Sequence, residues 1–329
     1  MSGGRLRWWR RLTVAAADLV SPPAGQQVRL RPGSRRTVAR LSRTVTSMRL
    51  LDGAFVRVHR VGAPGAGAER HNPDVPGDGR VTFVLLHGVG LSSVYLLPLA
   101  EDLAVHGEVL LVDLPGFGDV PPPARTLGID GLAEVVDDVL VAAGVHDPVL
   151  VGHSMGAQVA VELMARRPEA YHRTVLVAPP VNAAERHPLT QLWRYLQSAV
   201  HETHRLRLLA TRSYLTATTR WVADILPEVM GYRIEERLAL ASAEATVSIL
   251  HGEHDRLVPP DWATDLAGRV TRCEVELVPG AAHSVVVEDH PAVVRAALAH
   301  LAVDERSGPG SAVPPGSASD DGRSLTDES

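Results

Sequence analysis

Short apolar runs that alternate with segments of helical period constrain this chain more than any other feature. The runs are FVRVHRV (55–61), VTFVLL (81–86), EVLLVD (108–113), PVLVGH (148–153), TVLVA (174–178), TVSIL (246–250) and CEVELV (273–278). Helical patterns follow at 94–106, 127–144, 155–167, 260–269 and 290–302. The first run alternates apolar and polar residues as an antiparallel edge pair would. The later ones are continuous Val, Ile and Leu stretches, the pattern of parallel strands covered on both faces. Strand followed by helix, repeated, predicts an α/β protein with a mostly parallel, doubly wound sheet.

The repetition breaks once. Between 183 and 245 no strand run appears and the residues read as several short helices. A helical insertion there is expected to form a lid over the carboxyl ends of the strands, where open α/β sheets place their sites. The core is accordingly expected at 46–182 and 246–303. Residues 1–45 hold ten Arg against one acid, Asp18, and read as a basic extension, partly ordered at best. That extension is either solvated or an amphipathic surface-binding arm using Trp8 and Trp9. Met48, just before the first run, raises the further reading that the start of the chain lies downstream of Met1. Residues 304–329 are rich in Gly, Pro, Ser and Asp; they cannot offset their ordering entropy and are expected to be disordered. Residues 64–80 read as a long exposed hairpin loop.

Charge and cysteine content narrow the function classes. A formal net charge of -5 gives the molecule as a whole no basic field for nucleic acid or an anionic membrane. No stretch reaches the ~20 apolar residues of a membrane-spanning helix, so no stable membrane insertion is expected. The N-terminal Arg residues precede the apolar run LTVAAADLV as in an export signal, but Asp18 interrupts it. A cytoplasmic location is the expectation, with no metal and no cofactor, and the oligomeric state stays open. Cys273, the single cysteine, reads as strand filler.

PVLVGH runs directly into Ser154, and a helical pattern starts at once, giving Gly152-His153-Ser154-Met155-Gly156 in a strand, tight turn, helix setting. That is the context of a nucleophile elbow, in which a flanking Cβ would collide with neighbouring backbone. Ser154 is pushed out above the sheet at the positive end of the following helix. Partners appear downstream at strand ends: Asp255 in HGEHDRLVPP and His283 in PGAAHS, after a Gly-Ala-Ala turn read as flexible. A neutral serine is a weak nucleophile, so His283 must take its proton and Asp255 must fix the imidazole tautomer. Glu253 and Asp261 are competing acids, the first expected to point into the turn and the second to sit where a helix begins. His251, His254 and His290 compete for the base. His87-Gly88-Val89-Gly90 follows another strand, and the N–H groups of Val89 and Met155 are the candidate oxyanion donors. His87 reads as an orienting residue for that loop. Trp193, Tyr195, Tyr214 and Trp221, in the insertion, either pack its helices or line an apolar substrate pocket.

With HGVG (87–90), DLPGFG (113–118), GHSMG (152–156), GEHDRLVP (252–259) and GAAH (280–283), the chain over 48–302 resembles the α/β-hydrolase superfamily. It is similar to the lidded branch of carboxylesterases, monoacylglycerol lipases and carbon-carbon bond hydrolases. The resemblance implies an eight-stranded sheet with a helical lid inserted after the sixth strand. It implies hydrolysis of a small to medium hydrophobic carboxylic ester, a small-molecule substrate, with no nucleic-acid partner. Carbon-carbon bond hydrolysis, cofactor-free perhydrolysis and a non-catalytic ligand-binding module with this fold are the alternatives. Two positions depart from the pattern. Val120 stands where members often have Ser, and His153 precedes the nucleophile where the carbon-carbon hydrolases usually have Asn. A serine nucleophile excludes the carboxylate chemistry of epoxide hydrolases and dehalogenases.

Overall fold

The computed structural model describes residues 45–51, 53–62, 81–202 and 219–307. The expected hairpin loop at 64–80, the extension at 1–44, Tyr214 and the tail from 308 lie outside the described residues.

Among the described residues, eight strands form one sheet: β1 (Val45–Leu51), β2 (Ala54–Val61), β3 (Thr82–Leu86), β4 (Glu108–Asp113), β5 (Val149–His153), β6 (Arg173–Val177), β7 (Thr246–Gly252) and β8 (Arg272–Val278). Their order is β1-β2-β4-β3-β5-β6-β7-β8, and β2 alone runs against its neighbours. Helices α1 (Leu97–Leu103), α2 (Ile129–Ala142) and α3 (Met155–Arg166) follow β3, β4 and β5. Helices α4 (Pro188–Ala199), α5 (Thr219–Gly231) and α6 (Ile234–Leu238) lie between β6 and β7. Helix α7 (Pro260–Ala267) follows β7; α8 (Val285–Glu288) and α9 (His290–Ser307) follow β8.

The period of two along the strands divides the core into two layers. Val84, Leu86, Leu110, Val112 and Leu150 face α2 and α3. Phe83, Leu85, Val109, Leu111, Val149 and Val151 face α1 and α9. This explains the continuous apolar runs of the central strands, since both faces are covered.

The structure qualifies several expectations. The run at 55–61 does belong to an antiparallel edge pair, as its inner member: β2 sits between β1 and β4. The outer member is β1, whose apolar residues are interrupted by Thr46, Ser47 and Arg49, although the Asp-Gly pair at 52–53, with Gly53 at φ 83°, is the hairpin signal that marks it. Met48 lies in the middle of β1 paired with Arg57, so a chain starting there would lose the first three residues of the strand. At the other end β8 is mostly exposed rather than covered on both faces, because it has a neighbour on one side only. The boundary placed at 304 falls inside α9, which continues to Ser307.

The chain passes from β3 to β4 on one side, then crosses to β5 on the other. The carboxyl ends of β3 and β5 therefore flank the crevice where the winding reverses.

Candidate active site

β5 runs straight into Ser154, whose φ of 54° and ψ of -121° are rarely adopted outside glycine. Such a backbone costs ~1–3 kcal/mol and persists only where its surroundings fix it. They do so here by contact. A Cβ on Gly152 would press on the backbone of Gly156 and lie 2.7 Å from the Ala157 Cα. A Cβ on Gly156 would press on the Leu86 carbonyl, 2.6 Å from its carbon. The Ser154 N–H donates to the Val177 carbonyl at 2.9 Å, tying the elbow to β6.

Two loops meet this serine. His283 Nε2 lies 3.1 Å from Ser154 Oγ, and His283 Nδ1 lies 2.8 Å from Asp255 Oδ2. All three side chains are buried. The second oxygen of Asp255 accepts the Leu257 N–H at 2.9 Å. Burial acts to lower the His283 pKa, but the adjacent Asp255 carboxylate overrides it and the net shift is upward. Burial acts to raise Asp255, and its contact with His283 overrides that in turn, so the net shift is downward. The pair is thus arranged to keep the carboxylate ionised and to favour a proton on the imidazole. Among the competing residues, Glu253 accepts the Gly280 N–H and Asp261 sits in the first turn of α7, so neither reaches His283 as Asp255 does.

The loop carrying His283 is not the flexible turn that Gly-Ala-Ala suggested. It is pinned at each step: Gly280 N–H to Glu253 at 2.8 Å, Ala282 N–H to Glu288 at 2.8 Å, and the Ser284 hydroxyl to Glu202 at 2.7 Å. The His283 carbonyl lies 3.1 Å from His153 Nε2. A carbonyl only accepts, so Nε2 carries the proton and Nδ1 is left as an acceptor. Tyr95 Oη, 2.7 Å away, then donates to Nδ1 and accepts the Gly88 N–H at 3.0 Å. Burial, with His283 alongside, pushes the His153 pKa down to about 3, so the ring stays neutral. One chain of hydrogen bonds therefore joins the glycine loop after β3, the residue before Ser154 and the backbone of His283.

The glycine loop lies against the nucleophile: a Cβ on Gly88 would be 3.2 Å from the Ser154 Cβ. His87 holds the loop from below. Its Nε2 accepts the Leu114 N–H at 3.1 Å, which leaves Nδ1–H for the Gly88 carbonyl at 2.9 Å. Met155 opens α3, so its N–H has no carbonyl one turn back to bond.

The helices after β6 bring only part of the expected aromatic set to this place. The Tyr195 ring stands edge-on to His283 at 6.4 Å. Trp193, on the same helix, is 60% exposed and faces away, because α4 turns Gln191 and Ser198 inward instead. Trp221 is buried against Phe117 at 6.3 Å and packs on Gly116, so it serves the packing of α5 on the 113–118 loop. Two positioning groups carried no sequence signal. Ser198 Oγ accepts the Arg256 N–H at 2.8 Å beside Asp255, and Tyr95 sits in an unremarkable LSSVYLL stretch. Among the described residues no group of His, Cys, Asp and Glu side chains could hold a metal ion, and no helix is long and apolar enough to cross a membrane.

Comparison with known proteins gives the family. A family model described as "Alpha/beta hydrolase family" matches residues 83–297. A pimeloyl-[acyl-carrier protein] methyl ester esterase of Xanthomonas campestris pv. campestris is 31% identical over 237 residues, 64% of this chain and 90% of the relative. Among solved structures, a membrane phospholipase A described as a novel bacterial virulence factor superposes with a TM-score of 0.66 at 21% identity, covering 91% of this chain and 94% of that one. The 2-hydroxy-6-oxo-6-phenylhexa-2,4-dienoate hydrolase of Rhodococcus sp. strain RHA1 gives 0.60 at 19% identity, covering 79% and 99%. At these identities the structural matches speak for the fold alone.

Proposed function

Because this chain belongs to the alpha/beta hydrolase family and is a hydrolase, we propose that it cleaves a small to medium hydrophobic carboxylic ester through an acyl-enzyme on Ser154. The observation that carries this reading is the continuous chain from Ser154 Oγ through His283 to Asp255, at 3.1 Å and 2.8 Å. Ser154 attacks the carbonyl carbon while His283 Nε2 takes its proton. Asp255 stabilises the imidazolium that forms and stays ionised. The tetrahedral oxyanion faces the N–H groups of Val89 and Met155, each such donor lowering the barrier by ~3 kcal/mol. Collapse expels the alcohol, which takes the proton from Nε2. Water then repeats the attack with His283 as base, releasing the acid. The helices between β6 and β7 act as the lid, and Tyr195, edge-on to His283, forms its aromatic wall. The methyl ester in the Xanthomonas relative's name supports an ester as the scissile bond.

A fluorophosphonate probe should label Ser154, and Ser154→Ala should abolish both labelling and turnover of short p-nitrophenyl esters. Labelling with no turnover across ester, thioester and diketone panels would favour a ligand-binding module. The acid limb of kcat/KM tests the base. His283 must be neutral to accept the proton and its pKa is raised from the ordinary 6.5, so activity should fall as pH drops through a midpoint above that value. A midpoint below it would remove His283 from the role.

A further inference from the structure

Helix α4 turns one face toward the loops that carry the acid and the base. Tyr195 and Ser198 lie on that face at helical spacing, and Glu202 continues it just past the end of the helix. The Tyr195 ring stands edge-on to His283 at 6.4 Å. The Ser198 hydroxyl accepts the Arg256 N–H at 2.8 Å and lies 3.4 Å from Asp255 Oδ1. Glu202 accepts the hydroxyl of Ser284, the residue after His283, at 2.7 Å. Of the three, Glu202 is the one that burial should disfavour. It is only 5% exposed, and among the described residues the Ser284 hydroxyl is the group its carboxylate binds. One hydroxyl is little compensation for a carboxylate buried this far.

The missing compensation arrives when His283 takes up a proton. Burial opposes that proton, Asp255 favours it, and Glu202 adds to Asp255. An attraction that strengthens as the imidazolium forms is worth more in the transition state than before it, which is the condition for raising kcat. We infer that Glu202 is a positioning residue for His283: it holds the loop through Ser284 and supplies a second negative charge to the imidazolium. The inference rests on the proposed role of His283 as the base. It makes the segment after β6 part of the acid–base pair and not only a cover. The other ionisable groups around His283 are Asp255 from the loop after β7, Tyr195 from α4, and His153 at the end of β5, its ring 5.4 Å away. Glu253 and Glu288 bind the backbone of the same loop, and His201, next to Glu202 in the chain, stacks on His254 at 4.4 Å. All of these stay the same when Glu202 is replaced.

The test follows the His283 imidazole by NMR titration in the full chain carrying Ser154→Ala, its signal identified by loss in His283→Gln. Adding Glu202→Gln keeps an amide oxygen for the Ser284 hydroxyl and removes the charge. The His283 midpoint should then move to lower pH. Ser284→Ala does the reverse, removing the bond and keeping the charge, so the midpoint should not fall. With Ser154 intact, Glu202→Gln should move the acid limb of fluorophosphonate labelling to lower pH and reduce its plateau rate about threefold or more. An unmoved midpoint in Glu202→Gln overturns the inference and leaves Glu202 a prop for the loop. A fall in Ser284→Ala as large as in Glu202→Gln overturns it too, since the charge would then play no part. The titration needs no substrate, so a moved midpoint without ester turnover counts against the ester and not against Glu202.

Discussion

The two ends of the site are held in place by different physics. At the Ser154 end the backbone is fixed by exclusion: Gly152 and Gly156 let strand, turn and helix approach until no further atom fits. At the His283 end the chain is fixed by attachment, with Glu253, Glu288, His153 and Glu202 each taking one group of residues 280–284. Gly252, which packs on the backbone of Ala281 and Ala282, is the steric element there. A corner fixed by exclusion fails abruptly when an atom is added. A corner held by several bonds distributes its constraint and fails by degrees.

The sharpest way to break this contrast is Gly156→Ala. The new Cβ meets the backbone of Leu86 and His87, neither of which can swing aside as a side chain would. A loss of about 3 kcal/mol in denaturant unfolding is expected, together with loss of probe labelling. Near-native stability would show the elbow to be adaptable. Tyr95→Phe comes next, because it cuts the link between the two ends. It leaves the Gly88 N–H and His153 Nδ1 without their buried partner, at a cost of ~1–3 kcal/mol. If Tyr95 positions the loop that bears Val89, kcat should fall about tenfold with KM little changed; an equal change in both would make its role merely structural. Glu288→Gln should have the smallest effect. The amide oxygen still accepts the Ala282 N–H and only the charge is lost, so stability should drop by under ~1 kcal/mol. A collapse of activity in this variant would mean that the His283 end is as brittle as the other.

The same contrast explains what could be read from the sequence. Steric fixation leaves a mark, because only glycine satisfies it, and so Gly-x-Ser-x-Gly and the HGVG loop stand out in the chain. The central strands also stand out, since burial on both faces demands unbroken apolar residues. Attachment leaves no mark: Tyr95, Ser198 and Glu202 belong to no motif, and their partners lie 58 (Tyr95 to His153), 57 (Ser198 to Asp255) and 82 (Glu202 to Ser284) residues away. The edge strand β1 was hidden because Thr46, Ser47 and Arg49 break up its apolar residues. Trp193 illustrates a further limit. The absence of a strand run located the insertion, but which side of α4 faces inward depended on the polar contacts of Gln191 and Ser198.

The exposed last strand carries one more lesson. Among the described residues the sheet stops at β8, whose outer side has no strand partner there, and Val275 and Leu277 are 42% and 47% exposed, an invitation for another chain to add on. Glu274 and Glu276 alternate with those residues along the strand, and Arg295 pairs with Glu276 at 3.1 Å. An incoming copy of the same edge would have to lay carboxylate against carboxylate, a charge pattern that opposes pairing of this border with itself.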